Sequence, residues 1–168
     1  MRSLQIRTPL PEILSRPTLA LIFGIVGAAA ALFVFVILGS PIGNGWAAVP
    51  VFAGVSAAAA GALIWPPFFR RRTPTVVRGA IAGGFIALLA YPLTWYLFFV
   101  SFWVLSFGTF EHDQIIPPWA AISASFVYSA WGIFLTGWLV VPVASIVGGL
   151  LALVLRRKQT QVTLVDGY

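Results

Sequence analysis

The side chains able to do chemistry are few, and almost all lie outside the long apolar stretches of the chain. Glu111, His112 and Asp113 form the one acidic cluster near an apolar stretch. Consecutive side chains rarely converge on one ion, so the cluster reads as a solvated loop and not as a metal centre. Ser123, Ser125 and Ser129 have no histidine or carboxylate base nearby in sequence. They read as small polar packing residues, not as nucleophiles. Beyond these, only Tyr91, Tyr96 and Tyr128 could supply acid–base groups.

Several chemistries lack the residues they need. The chain has no cysteine, which removes disulfides, thiolate-ligated metals, iron–sulfur clusters and thiol catalysis. Met1 is the sole methionine and His112 the sole histidine, so haem ligation between helices has no ligand within an apolar stretch. Gly83-Gly84 and Gly148-Gly149 lie inside apolar stretches with no lysine after them, unlike a phosphate-binding loop. No apolar stretch contains a carboxylate, whereas a proton-coupled exporter normally carries one at membrane depth. The expectation is a protein without catalytic residues, cofactor or metal.

Composition explains this scarcity. Sixty per cent of the 168 residues are hydrophobic and only 8% are charged, against about a quarter charged in soluble domains. Mean hydropathy is +0.99. The net charge of +6 does not imply nucleic acid, because the basic residues are confined to three short flanking segments. These are Arg2, Arg7 and Arg16; Arg70, Arg71, Arg72 and Arg78; and Arg156, Arg157 and Lys158. Such clusters set topology and meet anionic lipid headgroups.

The arginine cluster Arg70, Arg71, Arg72 and Arg78 organises the elements. Neither Pro17–Phe69 before it nor Gly79–Phe110 after it contains a charged residue. Arginines cost several kcal/mol at the centre of a membrane helix, so 66–78 is expected to be a wet loop between two membrane hairpins. Residues 1–17 form a basic, proline-punctuated cytoplasmic lead. The first span, 18–38, is longer than a signal-peptide core of about 7–15 residues. The second, 46–65, has Trp46 and Trp65 at its two ends, as headgroup-seeking indoles would, and Pro66-Pro67 is expected to stop it. The third span, 79–107, exceeds what a bilayer requires, and its excess is expected to go into tilt, a kink at Pro92 or projection. An outer loop follows at 108–118.

The apolar stretch from Trp119 to Leu155 is too long for one simple crossing and short for two. Charge arbitrates: one crossing keeps every basic cluster on one side, as the positive-inside tendency requires. The expected fold is therefore an all-α membrane protein of four transmembrane helices, as a single domain. Residues 136–155 make the fourth span, and 119–135 an outer helical extension, interfacial helix or re-entrant piece. The tail, 156–168, is cytoplasmic. Gly45-Trp46-Ala47-Ala48-Val49-Pro50-Val51 recurs as Gly137-Trp138-Leu139-Val140-Val141-Pro142-Val143, which suggests two tandem helix hairpins, although short apolar matches also arise by chance.

Small residues recur at four-residue spacing on each span. Gly79, Gly83 and Ala87 mark the third; Ala144, Gly148 and Ala152 the fourth; Gly54, Ala58 and Ala62 the second; Gly24 and Ala28 the first. This spacing lets helix backbones approach closely. Most of these stripes are expected to pack the bundle itself, with a homo-oligomer seam as the alternative use. Gly83→Leu is expected to overpack, and Gly83→Ala to be much milder.

More than half of the aromatic residues fall between Tyr91 and Trp138. The bundle is therefore expected to be tight at the basic side and splayed by rings on the other. Tyr91, Trp95, Phe98, Phe102, Trp131 and Trp138 are the expected lining of an outward-facing groove for a lipid tail, a quinone tail or a partner's helix, and an ordinary aromatic belt is the competing use of these rings. The Tyr91 hydroxyl needs a partner at that depth, and Pro92 releases the Leu88 carbonyl nearby.

Two functions follow. The first is a non-catalytic membrane subunit or accessory protein of a cell inner membrane, packing against other transmembrane proteins or further copies of itself. The second is a small carrier, channel or lipid- or quinone-handling protein whose groove is apolar and aromatic. Membrane lipids are partners in both, and nucleic acid in neither.

Overall fold

A computed structural model describes residues 16–37, 48–69, 75–105 and 116–165, with side chains from 17 and up to 157. The described chain is all-α: α1 (Arg16–Ile37), α2 (Val49–Phe69), α3 (Val76–Leu105), α4 (Pro118–Gly132), a five-residue π turn (Ile133–Gly137) and α5 (Trp138–Val165). Residues 118–157 form one uninterrupted helical rod through the π turn, so among the described residues four helices are long and apolar enough to cross a membrane. The protein is a four-helix integral membrane bundle. Residues 119–135 are helical and continuous with the helix that follows.

The helix ends differ from expectation in three places. Pro66 and Pro67 lie inside α2, which continues to Phe69. Each proline removes one backbone N–H, leaving the Ala62 and Leu63 carbonyls without their helical donors, but keeps helical φ. Packing holds this last turn: Trp65 stacks against Phe69 at 4.6 Å between ring centroids, and both are buried. α3 starts early, at Val76, because Thr75 caps it. The Arg78 N–H donates to Thr75 Oγ1 (3.4 Å) and the Gly79 N–H to the Thr75 carbonyl (3.0 Å), the N-cap arrangement of an exposed helix start. Arg78 therefore sits in the first helical turn and not in the preceding loop. At the other end α5 continues to Val165, well past the expected limit of the fourth span.

Small residues explain how the helices pair. A methyl group on Gly54 would stand 3.1 Å from both the Ala28 Cβ and the Gly24 carbonyl oxygen, so α1 and α2 touch backbone to backbone. On α3 and α5 the approach is closer still. A methyl on Gly79 would overlap the Gly148 carbonyl, and one on Gly83 the Ala144 carbonyl. α2 packs on α3 and joins the two pairs. The stripes on α1 and α2 thus meet each other, as do those on α3 and α5.

The buried core gathers at one end. Leu19 and Phe23 of α1, Trp65 and Phe69 of α2, Ala82 and Ile86 of α3, and Ala152 and Leu155 of α5 form one cluster. This is also the end that carries Arg78, Arg156 and Arg157. Trp65, expected at a headgroup boundary, is only 3% exposed and packs on Phe23 at 5.6 Å. The Phe23 ring fills the space left by Gly61, where a Cβ would come within 2.8 Å of it. The two copies of the short repeat play different parts: Pro50 lies at the start of α2, whereas Pro142 lies within α5.

Candidate functional site

Above the tight end the bundle opens. α3 runs antiparallel to the α4–α5 rod, and each step along one is matched on the other: Gly79 meets Gly148, Gly83 meets Ala144, Tyr91 meets Thr136, and Phe99 meets Tyr128. The contacts change from glycine to hydroxyl to ring along this line. Where they change there is a cavity of about 330 Å³. Gly27, Ala30, Ala31, Val34 and Phe35 of α1 and Val49, Ala53 and Ala57 of α2 line one side. Ala87, Ala90, Tyr91, Thr94 and Trp95 of α3, with Gly132, Leu135, Thr136 and Val140, line the other.

Its polar side-chain groups are three hydroxyls and the indole N–H of Trp95. The Tyr91 hydroxyl lies 2.7 Å from Thr136 Oγ1. Thr136 Oγ1 itself donates to the Gly132 carbonyl at 2.8 Å, and Thr94 Oγ1 donates to the Ala90 carbonyl at 2.7 Å. Thr136 belongs to the π turn, where the widened helix disturbs the regular ladder; such turns recur at functional sites. A second side-chain donor serves the same turn: Trp138 Nε1 donates to the Leu135 carbonyl at 2.8 Å. The partner of Tyr91 is thus Thr136 on the neighbouring helix, and not the Leu88 carbonyl released by Pro92.

The six rings expected to line a groove are divided. Tyr91 and Trp95 line the cavity. Phe98 is buried in an aromatic cluster beyond it, edge-on to Phe52 at 6.2 Å and tilted against Phe102 at 4.8 Å. Trp95 and Phe99 each contact Phe98 directly, at 5.8 and 5.9 Å, and both also contact Tyr128, at 5.1 and 5.2 Å. Trp131 and Trp138 instead point away from the bundle, 63% and 72% exposed. Trp138 belongs to α5 and lies six residues from Ala144, about 120° around the helix at 3.6 residues per turn, and the π turn shifts the phase of Trp131 further. The face that is buried at Ala144, Gly148 and Ala152 is therefore not the face of the two tryptophans.

The remaining candidates fall as follows. Ser125 and Ser129 are buried and donate to carbonyls of their own helix, those of Ala121 and Ser125, and Ser123 does the same to Ala120. Their hydroxyls are committed, as packing residues' are. Among the described residues no group of acidic or histidine side chains could hold a metal ion. Arg156 and Arg157 are exposed near the end of the last span and Arg78 is half-buried. Glu111, His112, Asp113, Arg70, Arg71, Arg72, Trp46 and the Lys158 side chain lie outside the described residues. No family model, curated protein or solved structure matches this chain.

The small residues lining the cavity were missed from sequence. Gly27, Ala30, Ala31, Ala53 and Ala57 look like ordinary helix-packing residues, and only the outward divergence of the two hairpins turns them into a wall. Thr136 was missed too, because a threonine in an apolar helix commonly bonds its own backbone.

Proposed function

We propose that this protein is a non-catalytic membrane protein that holds a single apolar chain in the cleft between its two helix pairs. One observation carries the reading: a cavity of about 330 Å³, walled by glycine, alanine and valine, at the level where the small-residue seams end. Cavities that bind small molecules run from about 300 to 1,000 Å³. A cleft of this size and lining fits a lipid or isoprenoid tail, and the case against a partner's helix rests on the seams. The seams that could have bound such a helix are already occupied within the chain, Gly24 and Ala28 by Gly54 and Ala58, and Gly79 and Gly83 by Ala144 and Gly148.

The positive-inside tendency orients the protein with Arg78, Arg156, Arg157 and both termini in the cytoplasm, as in a bacterial inner membrane. The cleft then lies towards the outer half of the bilayer.

The test is chain capture. Protein purified in mild detergent is labelled with a long-chain diazirine lipid probe, and the labelled peptides are mapped by mass spectrometry. Labelling is expected on the cavity walls of α1 and α3. Ala31→Phe and Ala90→Leu should abolish it while leaving the melting temperature near that of wild type. Labelling spread over the lipid-facing surface, or unaffected by both variants, would refute the reading.

A second reading has its own observation. Trp119, Phe126, Trp131, Phe134 and Trp138 are 63–77% exposed along α4 and the π turn, a run of rings suited to another transmembrane protein or a second copy. A stoichiometric partner that survives purification and is lost in Trp131→Ala/Phe134→Ala would favour an accessory subunit.

A further inference from the structure

The hydrogen-bond directions around the cavity say more about what it takes, and this inference rests on the chain-binding reading above. Each hydroxyl carries one proton. Thr136 donates its proton to the Gly132 carbonyl, so in its 2.7 Å contact with Tyr91 it can only accept. Tyr91 must be the donor. Thr94 has likewise given its proton to the Ala90 carbonyl. All three hydroxyl protons among the cavity's walls are therefore spent within the protein, and these groups have only lone pairs left to offer.

We infer that the cavity selects a neutral lipid bearing a hydroxyl group, an alcohol or phenol on an apolar chain, over the corresponding ether, ketone or quinone. A ligand hydroxyl can donate to the free lone pairs of Tyr91 or Thr94. At these hydroxyls a ligand with only acceptors meets acceptors, and could gain a bond there only by breaking that from Tyr91 to Thr136, whereas an alcohol can donate to them and also accept. Depth supports the choice of a neutral group. Tyr91 lies thirteen residues along the helix from Arg78, about 20 Å at 1.5 Å per residue. A phosphate or ammonium headgroup at that depth would be costly to desolvate, whereas a single hydroxyl loses one hydration site and regains one partner. Free alcohols, isoprenoid alcohols, sterols and quinols share this chemistry.

The experiment is a competition against the diazirine probe with hexadecanol, hexadecyl methyl ether and hexadecane, matched in chain and differing in donor and acceptor. Wild-type protein should favour hexadecanol over the ether by about threefold, the worth of one net hydrogen bond in a membrane. Thr136→Val keeps the shape of the side chain but removes the acceptor for Tyr91. The freed phenol proton then turns into the cavity, and the ether should gain on the alcohol until the preference closes or reverses. Tyr91→Phe/Thr136→Val should leave only the Thr94 oxygen and a weak preference. Equal displacement by alcohol and ether in wild type overturns the inference while leaving chain binding intact. So does a Thr136→Val ratio unchanged from wild type. Failure of all three compounds to displace the probe overturns both readings. If Thr136→Val does not fold, the wild-type ratio alone decides.

Discussion

Gly83 of α3 lies so close to Ala144 of α5 that a methyl group on the glycine would overlap the alanine's backbone carbonyl. The seam is thus a contact of backbone on backbone, and alanine is already too large for it. The clash is made by the Cβ that alanine and leucine share, so Gly83→Ala carries a cost of its own, whatever the further cost of Gly83→Leu. Backbone cannot rotate aside as a side chain can.

Gly83→Ala should therefore cost about 1–3 kcal/mol, the range of core overpacking. Its neighbour supplies the control. A Cβ on Gly84 would meet the Ser145 Oγ at 3.1 Å and Val141 Cγ1 at 3.8 Å, side-chain atoms that can shift. Gly84→Ala should be neutral or slightly stabilising, since alanine favours helix over glycine by about 1 kcal/mol. Thermal melts of both variants in one detergent check the pair. Similar losses would mean that the seam is looser than its geometry.

What could be read from sequence follows from how many physical reasons a residue type can have. Four-residue spacing of Gly and Ala in an apolar helix has essentially one use, close packing, so Gly79, Gly83, Ala144 and Gly148 were legible. Which stripe meets which was not, because all four have the same spacing. A tryptophan at the end of an apolar run has two uses, interface anchor or core filler. Trp65 reads as the first from sequence, and in the structure it also fills the core. Pro66-Pro67 was read by propensity alone, and the burial of Trp65 and Phe69 outweighs that propensity. The π turn at Ile133–Gly137 has no compositional mark. The phase shift it introduces, and with it the positions of Thr136 and Trp131, comes from the structure alone.

The two uses of tryptophan separate by experiment. Trp65 is 3% exposed between Phe23 and Phe69, whereas Trp131 is 63% exposed. Trp65→Ala should cost about 3–5 kcal/mol, as for a buried aromatic cut to alanine. Trp131→Ala should shift the melting temperature little, unless the tryptophan is covered by a partner that survives purification. Comparable losses from both in isolated protein would place Trp131 in an interface between copies.

Orientation is tested by reporters. Fusions after Thr73 and after Lys158 should report the cytoplasm, and one at Asp113 the opposite side. The residues between Pro118 and Arg157 form one rod, so the reporters at Asp113 and Lys158 must disagree. Agreement between those two would mean that the rod breaks in the membrane and crosses twice.

The hydrogen bond between Tyr91 and Thr136 joins α3 to the π turn across the cavity wall, and its strength can be isolated from the rest of the packing. Interhelical hydrogen bonds in membranes average about 0.6 kcal/mol and rarely exceed about 1.7. A double-mutant cycle of Tyr91→Phe, Thr136→Val and the combined variant should give a coupling energy in that range. Tyr91→Phe removes the donor and leaves Thr136 bonded to Gly132, so it should be the milder single change. Thr136→Val removes the acceptor for Tyr91 and also the hydroxyl that satisfies the Gly132 carbonyl, so it loses two bonds and should cost more. The double variant should then cost barely more than Thr136→Val alone, because the bond lost with Tyr91 is already gone. Full additivity would mean that the two hydroxyls do not bond in the membrane, and the donor directions that give the cavity its selectivity would fall with them.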